Sequence, residues 1–117
     1  MYHDPVTSQK ATGVLLDLKD PPTCIIYPDD YAALGGIREL NTRSIIPGKD
    51  ISIVGYDGIM LTSMLVPPLT TYEQDGLVIG NKIAETLISQ IENPGEESSH
   101  IISVTGRLIK GGSVVQL

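Results

Sequence analysis

Ile51-Ser52-Ile53-Val54-Gly55-Tyr56, followed by Asp57-Gly58, decides the fold of this chain. The run is apolar and β-branched, which suits a strand, and Asp-Gly is a pair that closes a strand with a turn. Upstream, Thr23-Cys24-Ile25-Ile26-Tyr27 is a second short apolar run, of the kind expected for a strand buried on both faces. Between the two, roughly Asp30 to Asn41, Ala33, Ile37 and Leu40 share one helical stripe with Leu34 beside it. Strand, helix and strand over about thirty residues make a βαβ unit, with parallel strands and a right-handed crossover. Gly35 and Gly36 inside the helix each cost about 1 kcal/mol relative to Ala. Close approach to the sheet or to a partner helix is the expected compensation.

Working outward, Asp4-Pro5 suits a helix start, with Asp as N-cap and Pro at the first helical position. Ala11, Val14, Leu15 and Leu18 then fall on one face, and Asp20-Pro21-Pro22 ends the helix. On the other side, Ile59 to Val66 is a short apolar connection stopped by Pro67-Pro68, and Leu69 to Gln74 reads as a third strand. Asp75 can cap a helix over Gly76 to Ile91, where Gly80, Ile83, Ala84, Leu87, Ile88 and Ile91 follow the helical template. Asn93-Pro94-Gly95 closes it and Glu96 to Ser99 reads as a polar loop. His100 to Thr105 and Arg107 to Lys110 are expected strands on either side of Gly106. The order is α/β: an open, mainly parallel sheet with flanking helices.

Composition narrows the function classes. The 117 residues are 41% hydrophobic and 19% charged, enough apolar material for one core and too little charge for disorder. With no Phe and no Trp the core must be aliphatic. A net charge of −6 without any Lys/Arg cluster denies the chain the surface that neutralises phosphates, so DNA is not expected to bind it directly. No run is long enough for a bilayer and no charged-then-apolar leader opens the chain, so no membrane partner is expected. The single cysteine, Cys24, excludes an intrachain disulfide and fits a reducing, cytoplasmic compartment; inside an apolar strand it reads as core.

Open α/β sheets receive ligands beyond the carboxyl ends of their strands. Here the three successive strands are followed by Asp29, by Asp57 directly after Tyr56, and by Gln74. On neighbouring strands these side chains share one rim, and carboxylates with an amide are suited to the hydroxyls of a sugar or the N–H groups of a base. Each also has a plainer role: Asp29 or Asp30 as a helix cap, Asp57 as turn chemistry, Gln74 as a polar loop residue. Their joint placement is what favours a site.

Signs of catalysis are lacking. His3 and His100 have no Cys or His neighbour at metal-ligand spacing and read as surface residues. Pro47-Gly48-Lys49-Asp50 lacks the upstream Gly and the following Ser/Thr of a phosphate loop. Neither Gly-x-Ser-x-Gly nor Gly-x-Gly-x-x-Gly occurs. No catalytic residue, metal or cofactor is expected.

From Pro22 onward the sequence resembles the C-terminal half of the effector-binding core of LacI/GalR transcription regulators. The matching stretches are Pro22-Thr23-Cys24-Ile25-Ile26 with Asp29-Asp30, then Ala33-Leu34-Gly35, Asp50 to Asp57, and Pro67-Pro68-Leu69-Thr70-Thr71 followed by Gln74. Gly106 to Lys110 continues the match more weakly. Val-Gly-Tyr-Asp and Pro-Pro-Leu-Thr-Thr at this spacing are specific.

The resemblance implies a partial lobe of the type I periplasmic-binding-protein kind, two such lobes normally closing on an effector. It makes Asp29, Asp57 and Gln74 effector contacts, with Tyr56 grouped beside them. It makes Asp30 a helix cap, and places Leu34 and Leu65 on a homodimer face. Asp29 stands where many members carry Asn; a carboxylate accepts but cannot donate, which favours a donor-rich, sugar-like ligand and disfavours an anion. Residues 1–74 are expected to form mainly the C-terminal lobe, 75–105 the segment that crosses to the N-terminal lobe, and 106–117 the return strand and tail. Such regulators begin with a helix-turn-helix module and a full N-terminal lobe, and nothing here corresponds to either. DNA contact is therefore expected only through that missing module, and the stripe from Gly80 to Ile91 is expected to pack on a second copy. Two alternatives stay open: a solute-binding fragment of a sugar transporter, and a small α/β enzyme using Asp29 and Asp57.

Overall fold

In the computed structural model residues 3–94 and 101–115 are described. The chain divides into two compact units, residues 1–73 with 107–117 and residues 74–106. The first unit holds α1 (Pro5–Leu16), β1 (Cys24–Ile26), α2 (Asp30–Thr42), β2 (Ser52–Asp57), a 3-10 turn at Met60–Met64, β3 (Thr70–Glu73) and β4 (Arg107–Ile109). Its sheet runs β1-β2-β3-β4. The first three strands are parallel and β4 is antiparallel to β3, so the sheet is open and mainly parallel. The βαβ unit forms as its pattern requires, with Ile25 paired to Ile53.

Both helices of this unit lie on one face of the sheet, because both meet Tyr27. Its hydroxyl shares a 2.8 Å hydrogen bond with Thr12 of α1, and a Cβ on Gly36 of α2 would stand 1.9 Å from that same oxygen. The core is Ile25, Tyr27, Ala32, Ala33, Leu40, Ile51, Ile53 and Leu69. One-sided cover corrects the expectation for β1: Ile25 is buried, but Ile26 is 75% exposed and Cys24 is exposed rather than core. β1 is an edge strand whose second face carries no helix among the described residues.

The α1 stripe also differs from its expected position. The buried residues are Ser8, Thr12 and Gly13; of the expected stripe Leu15 packs partly buried against the core, whereas Val14 and Leu18 are exposed. The reason is distance. A Cβ on Gly35 would lie 2.0 Å from the Pro5 carbonyl oxygen, and helices this close exclude bulky side chains from the contact. Gly35 and Gly36 thus serve the close approach to helix and sheet that their helical cost demands. Arg43 ties the two helix ends together, donating to Asp17 (2.6 and 3.2 Å) and to Glu39 (2.8 Å). Those bonds hold the Asp17 and Glu39 carboxyl groups below their ordinary range and push the guanidinium further up.

Ser113 closes the sheet where β2 and β3 have not yet begun to pair. Its Oγ accepts from the Thr70 N–H at 2.8 Å and donates to the Ile53 carbonyl at 2.7 Å, and its own carbonyl accepts from the Ile53 N–H. Backbone groups that would be orphaned in a buried layer are thereby paired.

The second unit contains α3 (Gly76–Glu92), capped by Asp75, whose side chain accepts from the Val78 N–H. No residue of α3 is buried. Ile79, Ile83 and Leu87 line a groove of about 380 Å³ with Ile102 and Val104. Residues 101–105 do not form the expected strand; among the described residues of this unit there is no strand for them to pair with. His100 and the polar stretch Glu96 to Ser99 lie outside the described residues. No helix among the described residues is long and apolar enough to cross a membrane.

Candidate functional site at the carboxyl ends of the parallel strands

Ile26 of β1 pairs with Val54 of β2; Asp29 and Asp57 each stand three residues further on. The register therefore brings both aspartates to the same end of two adjacent parallel strands. Asp57 in turn pairs with Glu73 across β2 and β3, and Glu73 with Arg107 across β3 and β4. Gln74 follows Glu73 directly in sequence and begins the second unit.

Asp29 has two employed oxygens. Oδ1 accepts from the Ala32 N–H at 2.6 Å, so Asp29 is the N-cap of α2. Oδ2 pairs with Nδ1 of His3, a residue the sequence presents as plain surface. The cap anchors the carboxyl group through Oδ1, and the second oxygen faces the exposed His3 side chain. Asp30, expected as the cap, is instead fully buried. Its Oδ1 accepts from the Thr71 hydroxyl at 2.6 Å and its Oδ2 from the Ile59 N–H at 2.9 Å. The cap falls one residue earlier because Asp29 is the last extended residue before the helix, and an N-cap needs that conformation.

Asp57 has φ of 108°, a region that favours glycine and costs a residue with Cβ about 1–3 kcal/mol. The next residue is also at positive φ, and there the chain does supply glycine, Gly58. Tyr56, 40% exposed, stacks on its register partner Tyr72 with centroids 5.5 Å apart and planes 17° from parallel. Gly55 is required between these groups and the core, since a Cβ there would meet Asp30 Oδ1 at 2.1 Å.

Glu73 and Arg107 form an ion pair at the same end of the sheet, which the sequence reading missed. The residue just before Gln74 was in view, but assigning Glu73 to the rim requires the register, and Arg107 requires the antiparallel return of β4. Among the described residues the rim thus carries several acceptors and the Arg107 guanidinium, with the stacked rings of Tyr56 and Tyr72 one residue before Asp57 and Glu73. Carboxylate acceptors can receive hydroxyl and N–H donors, and an aromatic ring can cover one flat face of a ligand. Among the described residues no group of three His, Cys, Asp or Glu could hold a metal ion. Leu34 is partly buried on α2, and Leu65 packs partly against the core, beside exposed Met64 and Val66.

A mainly parallel sheet with acceptors beyond its strand ends is an α/β lobe of the kind that carries ligand sites in that place, and comparison with known proteins gives its family. Residues 3–114 match the periplasmic binding protein-like domain; the chain belongs to that family. The relatives it resembles are LacI-family repressors, which bears out the resemblance read from Val54-Gly55-Tyr56-Asp57 and Pro67-Pro68-Leu69-Thr70-Thr71. The HTH-type transcriptional repressor CytR of Escherichia coli (strain K12) is 33% identical over 104 residues, covering 89% of this chain and 30% of that protein. The repressor PurR of Haemophilus influenzae (strain PittEE) is 31% identical over 113 residues, covering 95% of this chain and 34% of that protein. The chain spans about a third of the length of these relatives.

Among solved structures, a LacI-type transcriptional regulator from Bacillus cereus subsp. cytotoxis superposes with a TM-score of 0.89 at 29% identity, over 95% of this chain and 39% of that one. A LacI family regulator from Enterococcus faecium with bound ribose gives 0.83 at 28%, over 97% and 41%. The lac repressor dimer bound to operator and an anti-inducer gives 0.85 at 27%, over 97% and 39%.

Proposed function

We propose that this chain is the effector-sensing and dimerising part of a LacI-type transcription regulator, binding a small polar metabolite such as a sugar or nucleoside. The observation that carries the reading is the rim: Asp29 and Asp57 at the same end of adjacent parallel strands, with Asp57 kept in a costly backbone conformation. Asp29, Tyr56, Asp57 and Gln74 are the proposed contacts. Asp29 would offer Oδ2, Asp57 its carboxyl group, Tyr56 a ring face and Gln74 its amide. Residues 1–74 are assigned mainly to the C-terminal lobe, 75–105 to the segment that crosses to the N-terminal lobe, and 106–117 to the return strand and tail. The relatives are regulators rather than enzymes, and the rim is accordingly read as binding without turnover, in the cytoplasm. Leu34 and Leu65 are assigned to a homodimer face, and DNA contact to a module other than this chain.

Calorimetric titration with D-ribose, lactose and nucleosides tests the reading. Saturable binding of at least one of them, abolished by Asp57→Ala with the circular dichroism spectrum unchanged, is the expected result. If none binds, or if Asp57→Ala binds as the natural chain does, the rim is not an effector site. Asp29→Asn retains the cap through its amide oxygen and turns the second acceptor into a donor. It is expected to relax discrimination against anionic ligands, read as the ratio of the affinities for D-ribose and ribose 5-phosphate.

A further inference from the structure

We propose that Asp30 and Thr71 are positioning residues that hold Asp57 in its left-handed backbone conformation so that its carboxyl group stands on the ligand-binding rim. This rests on the reading of Asp57 as an effector contact. Asp57 is the last residue of β2, so the ladder fixes the chain on its amino side. On its carboxyl side two successive N–H groups are pinned. Gly58 N–H donates to Thr71 Oγ1 at 3.3 Å, and Ile59 N–H to Asp30 Oδ2 at 2.9 Å. The two acceptors are joined, the Thr71 hydroxyl donating to Asp30 Oδ1 at 2.6 Å, and both residues are fully buried. Rotating Asp57 to an ordinary negative φ would swing Gly58 and Ile59 away from both acceptors together.

The bracket explains how a residue with Cβ persists where glycine would be free of strain. At Gly58, where the φ is also positive, the chain uses glycine; at Asp57 it keeps a carboxyl group instead. Strain that persists under an over-determining frame marks a side chain kept for its chemistry. Gly55 completes the frame, since any larger residue there would displace Asp30.

Amide hydrogen exchange followed by NMR, together with melting temperature and D-ribose and nucleoside titrations, separates positioning from mere stability. Thr71→Val removes the hydroxyl at nearly constant shape and is expected to speed exchange at Gly58 at least tenfold, with Ile53 unchanged and ligand affinity reduced at least tenfold. Thr71→Ser is expected to restore both, and Asp30→Asn to speed exchange at Ile59 or Gly58 selectively. Asp57→Gly is expected to raise the melting temperature while abolishing binding. The proposal is overturned if Thr71→Val leaves Gly58 exchange unchanged, if Gly58 and Ile53 speed up together, or if Asp57→Gly melts lower than the natural chain. If the bracket variants behave as expected and the natural chain binds no ligand, the bracket stands and the effector reading falls.

Discussion

α2 and α3 carry opposite lessons about amphipathic helices. α2 has two internal glycines and a mixed composition, yet Ala32, Ala33, Gly35, Gly36 and Leu40 are all buried. α3 has the fuller apolar stripe, yet buries no residue, with Ile83 63% and Ile91 69% exposed. Periodicity tells where a helix forms and which face is apolar; what covers that face is a property of the whole assembly. In α2 the glycines are the signature of cover, because they are needed only where another backbone or ring approaches. In α3, Gly76 and Gly80 have nothing within 4 Å of a built Cβ.

That contrast can be broken by paired substitutions. Leu40→Ala is expected to cost about 2–5 kcal/mol in chemical denaturation, the range for a large core side chain removed. Ile83→Ala is expected to stay within about 0.5 kcal/mol in the isolated chain, as for other exposed positions; a core-sized loss there would mean that α3 is covered in solution. Gly36→Ala forces a methyl group against the Tyr27 ring and is expected to cost about 1–3 kcal/mol by overpacking. Gly80→Ala has open space and is expected to stabilise by up to about 1 kcal/mol. Equal effects of the two glycine changes would remove the distinction drawn between the helices.

Acid sensitivity is expected to be a smaller effect, read at Arg43 in the first unit. Asp17 and Glu39 are lowered by their hydrogen bonds to Arg43. Their contribution is therefore present above the unfolded carboxyl range of about 4 and is lost as pH falls through the lower folded values. Arg43→Met should leave a shallower decline of melting temperature below that range. An identical acid profile in the variant would show that these exposed pairs are screened to nothing.

Much of this was legible in the sequence. The βαβ unit, the capped starts at Asp4 and Asp75, and the family signature follow from local patterns. The face of α1 was only partly legible: Leu15 packs against the core, but tight helix packing selects Ser8, Thr12 and Gly13 over Val14 and Leu18. One-sided cover of β1 was hidden for the reason that hides the cover of α3: an apolar run does not name its partner. Asp29, Asp57 and Gln74 could be nominated from strand ends, and Tyr56 through the family resemblance. Glu73 and Arg107 could not, since only register and the return of β4 bring them there, and neither could His3, which the segment before α1 brings to Asp29. Asp30 was read as a cap because a one-residue shift of the helix start is invisible to composition.

The placement of the effector site is tested most directly by mapping ligand contacts residue by residue. Two-dimensional ¹H–¹⁵N spectra of the chain titrated with D-ribose or adenosine should show saturable shifts at Asp29, Tyr56 to Gly58, Glu73 and Gln74. Shifts centred instead on the groove of Ile79, Ile83 and Leu87, or none with either ligand, would contradict the account.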